Sequence, residues 1–319
     1  MIRVGLIRNP RSQRNKRGGG DMRTQAAALL GYYFAEPATP AELAEVLADF
    51  ARHEVGIICI DGGDGTVREV LTALPAAYGG ELPKLAILAS GKTNLIAADV
   101  GSPGHGLEGF GRLVDDARKG FLGSHLQRRP LLEISWPDGS HETIRGMFMG
   151  AGAFTRATDL ANSSIHARGL YNNAAVVLTM ANVLGSALLG RDRDGWLDGE
   201  PMTVSDGRDN GRDGNRFIFL ATTLHRLVMG LWPFWGEGNG ALRYLDVAAH
   251  PTRLTAALAP VLRGKPTPWM LADGYRSGVA ERLTLGLSAP FIMDGERFEP
   301  GPGGTIHLDA GPVVDFVIP

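Results

Sequence analysis

The segment Asp61-Gly62-Gly63-Asp64-Gly65-Thr66 sets two carboxylates and a hydroxyl among three glycines. A carboxylate in such a loop can hold a metal or accept a proton. Glycines let the backbone approach a ligand closely or take up positive φ. Three further groups carry polar chemistry. Asn9-Pro10-Arg11-Ser12 lies in a stretch with six cations (Arg3, Arg8, Arg11, Arg14, Lys16 and Arg17) before the first acid, Asp21. That stretch reads either as a solvated loop or as a loop facing phosphate. Gly91-Lys92-Thr93-Asn94 offers small polar side chains and one cation, and Asp294-Gly295-Glu296 offers two more carboxylates. Asp-Gly is also an ordinary hairpin signal.

The elements around these groups follow from periodicity. Residues 55–60 form an apolar run rich in β-branched side chains, which predicts a buried strand leading into the glycines. Val67, Val70, Leu71 and Leu74 fall at i, i+3, i+4 and i+7, so a helix follows, with its first-turn amides facing the loop. Such amides attract phosphate. Thr66-x-x-Glu69 also fits a capping box, which would make both residues structural. No G-K-[ST] closes the loop, so it is not a Walker A motif, and it is not the dinucleotide fingerprint. Residues 2–7 predict a first strand that delivers Asn9 to its carboxyl end, the side where open α/β sheets place ligands. Residues 22–30 read as helix and 32–35 as a short strand. Thr39-Pro40-x-Glu42 then opens a helix with Thr39 as N-cap, and Leu43, Val46, Leu47 and Phe50 form its buried stripe. Residues 84–89 predict another strand. A short helix ends near Gly101, and 107–119 reads as an amphipathic helix.

Beyond residue 124 the pattern changes to closely spaced short runs at 131–136, 142–149, 202–205, 217–223, 242–248 and 283–287. Strands without alternating helices indicate an antiparallel sandwich. The expected fold is an α/β nucleotide-binding domain over 1–125, followed by an antiparallel β-sandwich domain over 126–319. The strand at 313–317 is expected to return to the first domain.

The chain has 319 residues, enough for two cores. Its 32 basic and 34 acidic residues argue against a nucleic-acid binder, and 44 glycines favour turns and strands over a helical bundle. The single cysteine, Cys59, lies in the apolar strand as a small core residue and suggests a reducing compartment. Eight scattered histidines give a zinc site little support. The start of the chain reads as a strand rather than a secretory signal. The apolar stretch 174–190 is broken by Thr179, Asn182 and Ser186, so an integral membrane protein is not expected.

Taken in order, Asn9-Pro10-x-Ser12, Gly62-Gly63-Asp64-Gly65-Thr66, Gly91-Lys92-Thr93-Asn94-Leu95-Ile96-Ala97 and Asp294-Gly295-Glu296 resemble the motifs of diacylglycerol kinases and of sphingosine and ceramide kinases, including bacterial lipid kinases. NAD kinases share a more distant likeness in the glycine loop. The third motif departs from the commonest family form, Gly-Thr-Gly-Asn-Asp-Phe-Ala, at Lys92 and Leu95. The resemblance implies an enzyme that uses ATP and Mg2+ to phosphorylate a primary hydroxyl of a membrane lipid, either diacylglycerol or a ceramide or sphingoid base. It implies nucleotide contacts at Asn9, Arg11, Ser12, Thr39, Gly62, Gly63, Gly65, Thr66, Glu69, Gly91, Thr93 and Asn94, with Lys92 added as a phosphate-facing charge. Asp64 is the leading general base or metal-linked acid. Asp294 and Glu296 are its rivals, and Asp294 is a second metal ligand. The expected location is cytoplasmic, peripheral on the anionic inner membrane face. For acyl chains, the segment 174–189 and Leu231-Trp-Pro-Phe-Trp235 offer an apolar wall, and for a sphingoid ammonium Asp159 offers a carboxylate. The alternatives are a NAD kinase-like enzyme and a catalytically silent lipid- or nucleotide-binding module.

Overall fold

The computed structural model describes residues 2–18, 20–121, 125–168, 195–207 and 211–318. The chain divides into two compact units, residues 1–131 with 312–319, and residues 132–311. The expected fold class holds: an α/β unit comes first and an antiparallel, strand-rich unit follows.

In the first unit Arg3–Arg8 (β1) is followed by two short helical pieces, Asn15–Gly18 (α1) and Gly20–Leu30 (α2). Phe34–Ala35 (β2) is only two residues long, because Gly31–Tyr33 closes a 3-10 turn where the sequence suggested strand. Then come Pro40–Arg52 (α3), Val55–Gly62 (β3), Asp64–Tyr78 (α4), Lys84–Ala89 (β4), Leu95–Val100 (α5) and Gly106–Lys119 (α6). The strands pair in parallel in the order β2, β1, β3, β4. A sheet covered on both faces needs strands that are apolar throughout, and β3 is buried at seven of its eight positions. Val67, Val70, Leu71 and Leu74 are the buried stripe of α4, as their spacing required. Phe110, Leu113 and Val114 of α6 pack with Leu6, Cys59 and Leu88, so Cys59 is a core side chain.

The second unit contains Leu126–Ser135 (β5, entering from the first unit), Ile144–Gly146 (β6), Phe148–Gly152 (β7) and Ala153–Arg168 (α7). After these come Glu200–Ser205 (β8), Asn215–Thr222 (β9), Leu242–Ala248 (β10), Leu254–Leu262 (α8) and Pro268–Ala272 (α9). Tyr275–Ala280 (β11), Arg282–Leu287 (β12), Phe291–Met293 (β13), Glu296–Phe298 (β14) and Thr305–Val317 (β15) complete it. One run of antiparallel neighbours is β14, β13, β7, β9, β10, β11; another joins β8, β12 and β15. Met149, Phe219, Tyr244 and Phe291 from the first run share a core with Val204, Leu285, Ile306 and Leu308 from the second. β15 crosses the division at Pro312, and its Phe316 pairs in parallel with Leu85 of β4. No helix among the described residues is long and apolar enough to cross a membrane. The apolar stretch 174–189 lies outside the described residues.

Within the first unit a buried ion pair ties α5 to β5: Arg129 Nε donates to Asp99 Oδ2 at 2.8 Å, with both side chains almost fully enclosed. Removing one partner strands a buried charge. Arg129→Met should therefore cost about 3–5 kcal/mol, read as a fall in the urea midpoint at unchanged slope. A loss below about 1 kcal/mol would mean the pair carries no such weight.

Candidate active site

β1 and β3 end side by side, with Arg8 and Asp61 paired in register. Immediately beyond, Asn9 is fixed on all sides. Its amide bonds the Asp61 carbonyl at 2.9 Å, and its Oδ1 accepts from the Arg11 amide at 2.9 Å. Its Nδ2 donates to Thr66 Oγ1 at 2.8 Å, joining the first motif to the glycine loop. The Ser12 amide closes the turn on the Asn9 carbonyl, and Ser12 is buried.

None of Gly62, Gly63 or Gly91 has positive φ, so their use is steric. A Cβ on Gly63 would lie 2.9 Å from the Gly91 Cα, and one on Gly62 would press on the Thr66 side chain at 2.6 Å. The two glycine loops pack backbone on backbone, and no other residue fits at that contact. Gly65 lies in the first turn of α4. Asp64, the first residue of that helix, accepts the Leu95 and Ile96 amides at 3.1 and 3.0 Å, one on each carboxylate oxygen. Burial raises its pKa, and these amide bonds oppose the rise. Asn94 adopts a left-handed conformation, φ 52°, and exchanges hydrogen bonds with the Gly91 amide and carbonyl at 2.8 and 3.1 Å. Lys92 is exposed and Thr93 half-buried on this loop. The departure at Leu95 is harmless to the clasp, because the contact uses its backbone.

The capping-box reading of Thr66 and Glu69 fails, because α4 begins at Asp64 with Gly63 as N-cap. Thr66 is instead the acceptor for Asn9. Thr39 does cap α3, with Oγ1 accepting from the Glu42 amide at 3.2 Å. Glu42 reaches one residue further back, to the Ala38 amide.

Asn9, Arg11, Thr39, Thr66 and Glu69 line one pocket in the first unit, together with Ile7, Leu43 and Val70. Amide, hydroxyl and guanidinium donors beside aliphatic side chains fit a nucleotide, with the apolar wall for a base and the donors for ribose and phosphate. No three His, Cys, Asp or Glu side chains converge among the described residues. A Mg2+ that completes its shell from phosphates and water takes only one or two protein carboxylates.

Sequence reasoning missed the charge chain beneath this pocket. Arg8, 3% exposed, reaches Glu36 at 2.5 Å and Asp61 at 3.2 Å, and Arg23 closes on Glu36 at 3.2 Å. Ser90 Oγ donates to Asp61 Oδ1 at 2.5 Å. Arg8 and Glu36 line the pocket as well. The available signal was a pair of opposite charges ending two adjacent buried strands.

In the second unit, Asp294 and Gly295 have φ of 47° and 89° and form the two-residue turn between β13 and β14. The hairpin signal in the sequence was genuine. The Asp294 carboxylate is buried and accepts the Met147 and Phe148 amides at 2.8 and 3.0 Å. It lies against Gly146, where a Cβ would overlap an Asp294 oxygen. Glu296 is exposed. Asp159 pairs with Arg297 at 2.7 Å, so its charge is already met within the unit. Phe234 is buried while Trp232 and Trp235 are half-buried.

Residues 3–121 match the model of the diacylglycerol kinase catalytic domain family. The first unit carries a diacylglycerol kinase catalytic domain. The match falls on the three motifs of the first unit that carried the resemblance in the sequence. Two crystal structures from Bacillus anthracis extend the likeness in fold over nearly the whole chain. One is of a diacylglycerol kinase (TM-score 0.57) and the other of a protein assigned that activity (TM-score 0.61). Each is 14% identical, and the match covers 99% of this chain and 97% of the other. No curated protein sequence matches the chain significantly.

Burial raises the Asp61 carboxyl above its ordinary 3.8, against the pull of Ser90, Asn15 and Arg8. The folded state thus holds this proton more tightly than the unfolded state, and the stability gained from it is full below 3.8 and lost as pH rises through the folded value. In urea titrations from about pH 4 to about pH 7, the wild type should lose stability relative to Asp61→Asn with rising pH. A difference that stays flat or grows the other way would contradict this environment for Asp61.

Proposed function

We propose that the chain is an ATP-dependent lipid kinase that transfers the γ-phosphate to a primary hydroxyl of diacylglycerol or of a ceramide or sphingoid base. The observation that carries this reading is the convergence of Asn9, Thr39 and Thr66 on one pocket of a diacylglycerol kinase catalytic domain, next to two interlocked glycine loops.

Phosphoryl transfer demands alignment and charge neutralisation more than covalent help from the protein. In this reading Asn9, Thr39 and Thr66 orient the nucleotide, Arg11 and Lys92 offset phosphate charge, and the loop backbones at 62–66 and 91–94 form the phosphate floor. Asp64 would hold a bound Mg2+, which would supply Lewis acidity. We assign Asp64 as general base or metal-linked acid, with the loops held around it. Asp294 and Glu296 are the rival acids for the acceptor hydroxyl, Asp294 also for the metal. The enzyme works in the cytoplasm, peripherally on the anionic inner face of the membrane that contains its substrate.

Incubation with labelled Mg-ATP and detergent-dispersed diacylglycerol, ceramide, sphingosine or monoacylglycerol should label one lipid. Label on NAD instead would assign a NAD kinase-like activity, and ATP binding without label on any acceptor would assign a silent module. Asp64→Asn should lower turnover at least about 100-fold with unchanged circular dichroism. A near-normal rate would remove Asp64 from the chemistry.

A further inference from the structure

The second unit carries a surface that water alone does not explain. Helix α8 reads Leu-Thr-Ala-Ala-Leu-Ala-Pro-Val-Leu, nine residues without a charge; only Ala257 is buried, Leu254, Leu258, Val261 and Leu262 are half-buried, and Thr255, Ala256 and Ala259 are exposed. A water-facing helix ordinarily carries charged or polar groups on its open face. Two neighbours extend this apolar surface. The Trp232 amide donates to the Leu262 carbonyl at 2.9 Å, which sets the turn before Trp232 against the end of α8. Met229 stands at the tip of that turn, 69% exposed and held at φ 58° ahead of Gly230 at φ 70°. At the other end of α8, the Arg253 guanidinium lies 5.3 Å from the Trp269 ring centroid of α9, where Leu271 is 61% exposed.

Charge around this surface is one-sided. Across 225–235 and 252–274 the sequence holds Arg226, Arg253, Arg263 and Lys265 against one acid, Asp273. All four cations are exposed, and Asp273 lies 3.6 Å from Arg253. In a chain of net charge −2, this is a local cationic rim around exposed Met229 and Leu271 and half-buried Trp232 and Trp269. Apolar side chains inserted at the acyl boundary, ringed by cations at headgroup level, are what an anionic bilayer surface rewards.

We propose that Met229, Trp232, α8 and Leu271, rimmed by Arg263 and Lys265, form the face through which this protein docks on an anionic phospholipid bilayer. The proposal rests on the lipid-kinase reading only for its benefit: it names the surface that brings the enzyme to a membrane-borne acceptor. Its occupant is the bilayer itself rather than a single bound lipid. Exposed apolar groups carry the insertion and the cations carry the dependence on lipid charge.

The test is sedimentation of the full chain with vesicles, without ATP. Wild type should pellet with phosphatidylglycerol-containing vesicles, much less with pure phosphatidylcholine, and less as salt is raised. Met229→Asp with Leu271→Asp, and separately Arg263→Glu with Lys265→Glu, should each weaken partitioning at least about 10-fold at unchanged melting temperature. Both pairs should keep wild-type turnover on detergent-dispersed lipid and lose it on the same lipid in vesicles. Failure of wild type to bind, or wild-type binding by both double variants, would overturn the proposal. So would concentration-dependent self-association without vesicles that the same substitutions abolish, which would assign the face to a second copy. Binding is read without turnover, so an absence of any labelled lipid would sink the kinase reading and leave this result standing.

Discussion

The carboxylate of Asp64 takes the amides of Leu95 and Ile96 while Gly63 and Gly91 press backbone on backbone. This joint makes the ends of β3 and β4 into one rigid piece. Asn9 is tied to the same piece through Thr66, so the end of β1 cannot drift from the glycine loop. From the opposite end, α5 is pinned by the buried pair between Asp99 and Arg129. A short helix of six residues has little stability of its own. Its place is set by an anion at its first amides and a cation on its last turn, which is also the sense in which a helix dipole is best satisfied at its amino end.

Beneath that joint runs a second constraint. Arg23, Glu36, Arg8, Asp61 and Ser90 form a chain of charged and polar contacts at strand ends that are otherwise apolar. Burying charge is expensive unless partners are close, and here each carboxylate has two. The chain therefore fixes the base of the pocket that Asn9, Thr39 and Thr66 line, at a cost in stability, a trade expected where geometry matters more than folding energy.

Much of this was readable in the sequence because the information was local. Apolar runs at 55–60 and 84–89, the stripe Val67, Val70, Leu71 and Leu74, and the Thr39-Pro40 helix start each state their own conformation. The change to closely spaced strands marked the second architecture. What the sequence did not disclose were pairings between distant residues. Nothing near Gly63 says that another glycine will touch it, and backbone amides such as those of Leu95 and Ile96 carry no mark in the sequence. Glu36 lacked any pattern to connect it with Arg8. Elements without a clear period were missed for the same reason: α7, α8 and β11 are set by the strands they adjoin rather than by a stripe of their own.

We propose that three strand ends, locked by Asp64 and Asn9, form the nucleotide site. Hydrogen–deuterium exchange with and without Mg-ATP tests it on the folded chain and needs no lipid. Added nucleotide should slow exchange at 9–12, 62–66 and 91–96, the three loops that the joint holds together. Unchanged exchange in all three, with protection appearing elsewhere in the chain, would contradict the account.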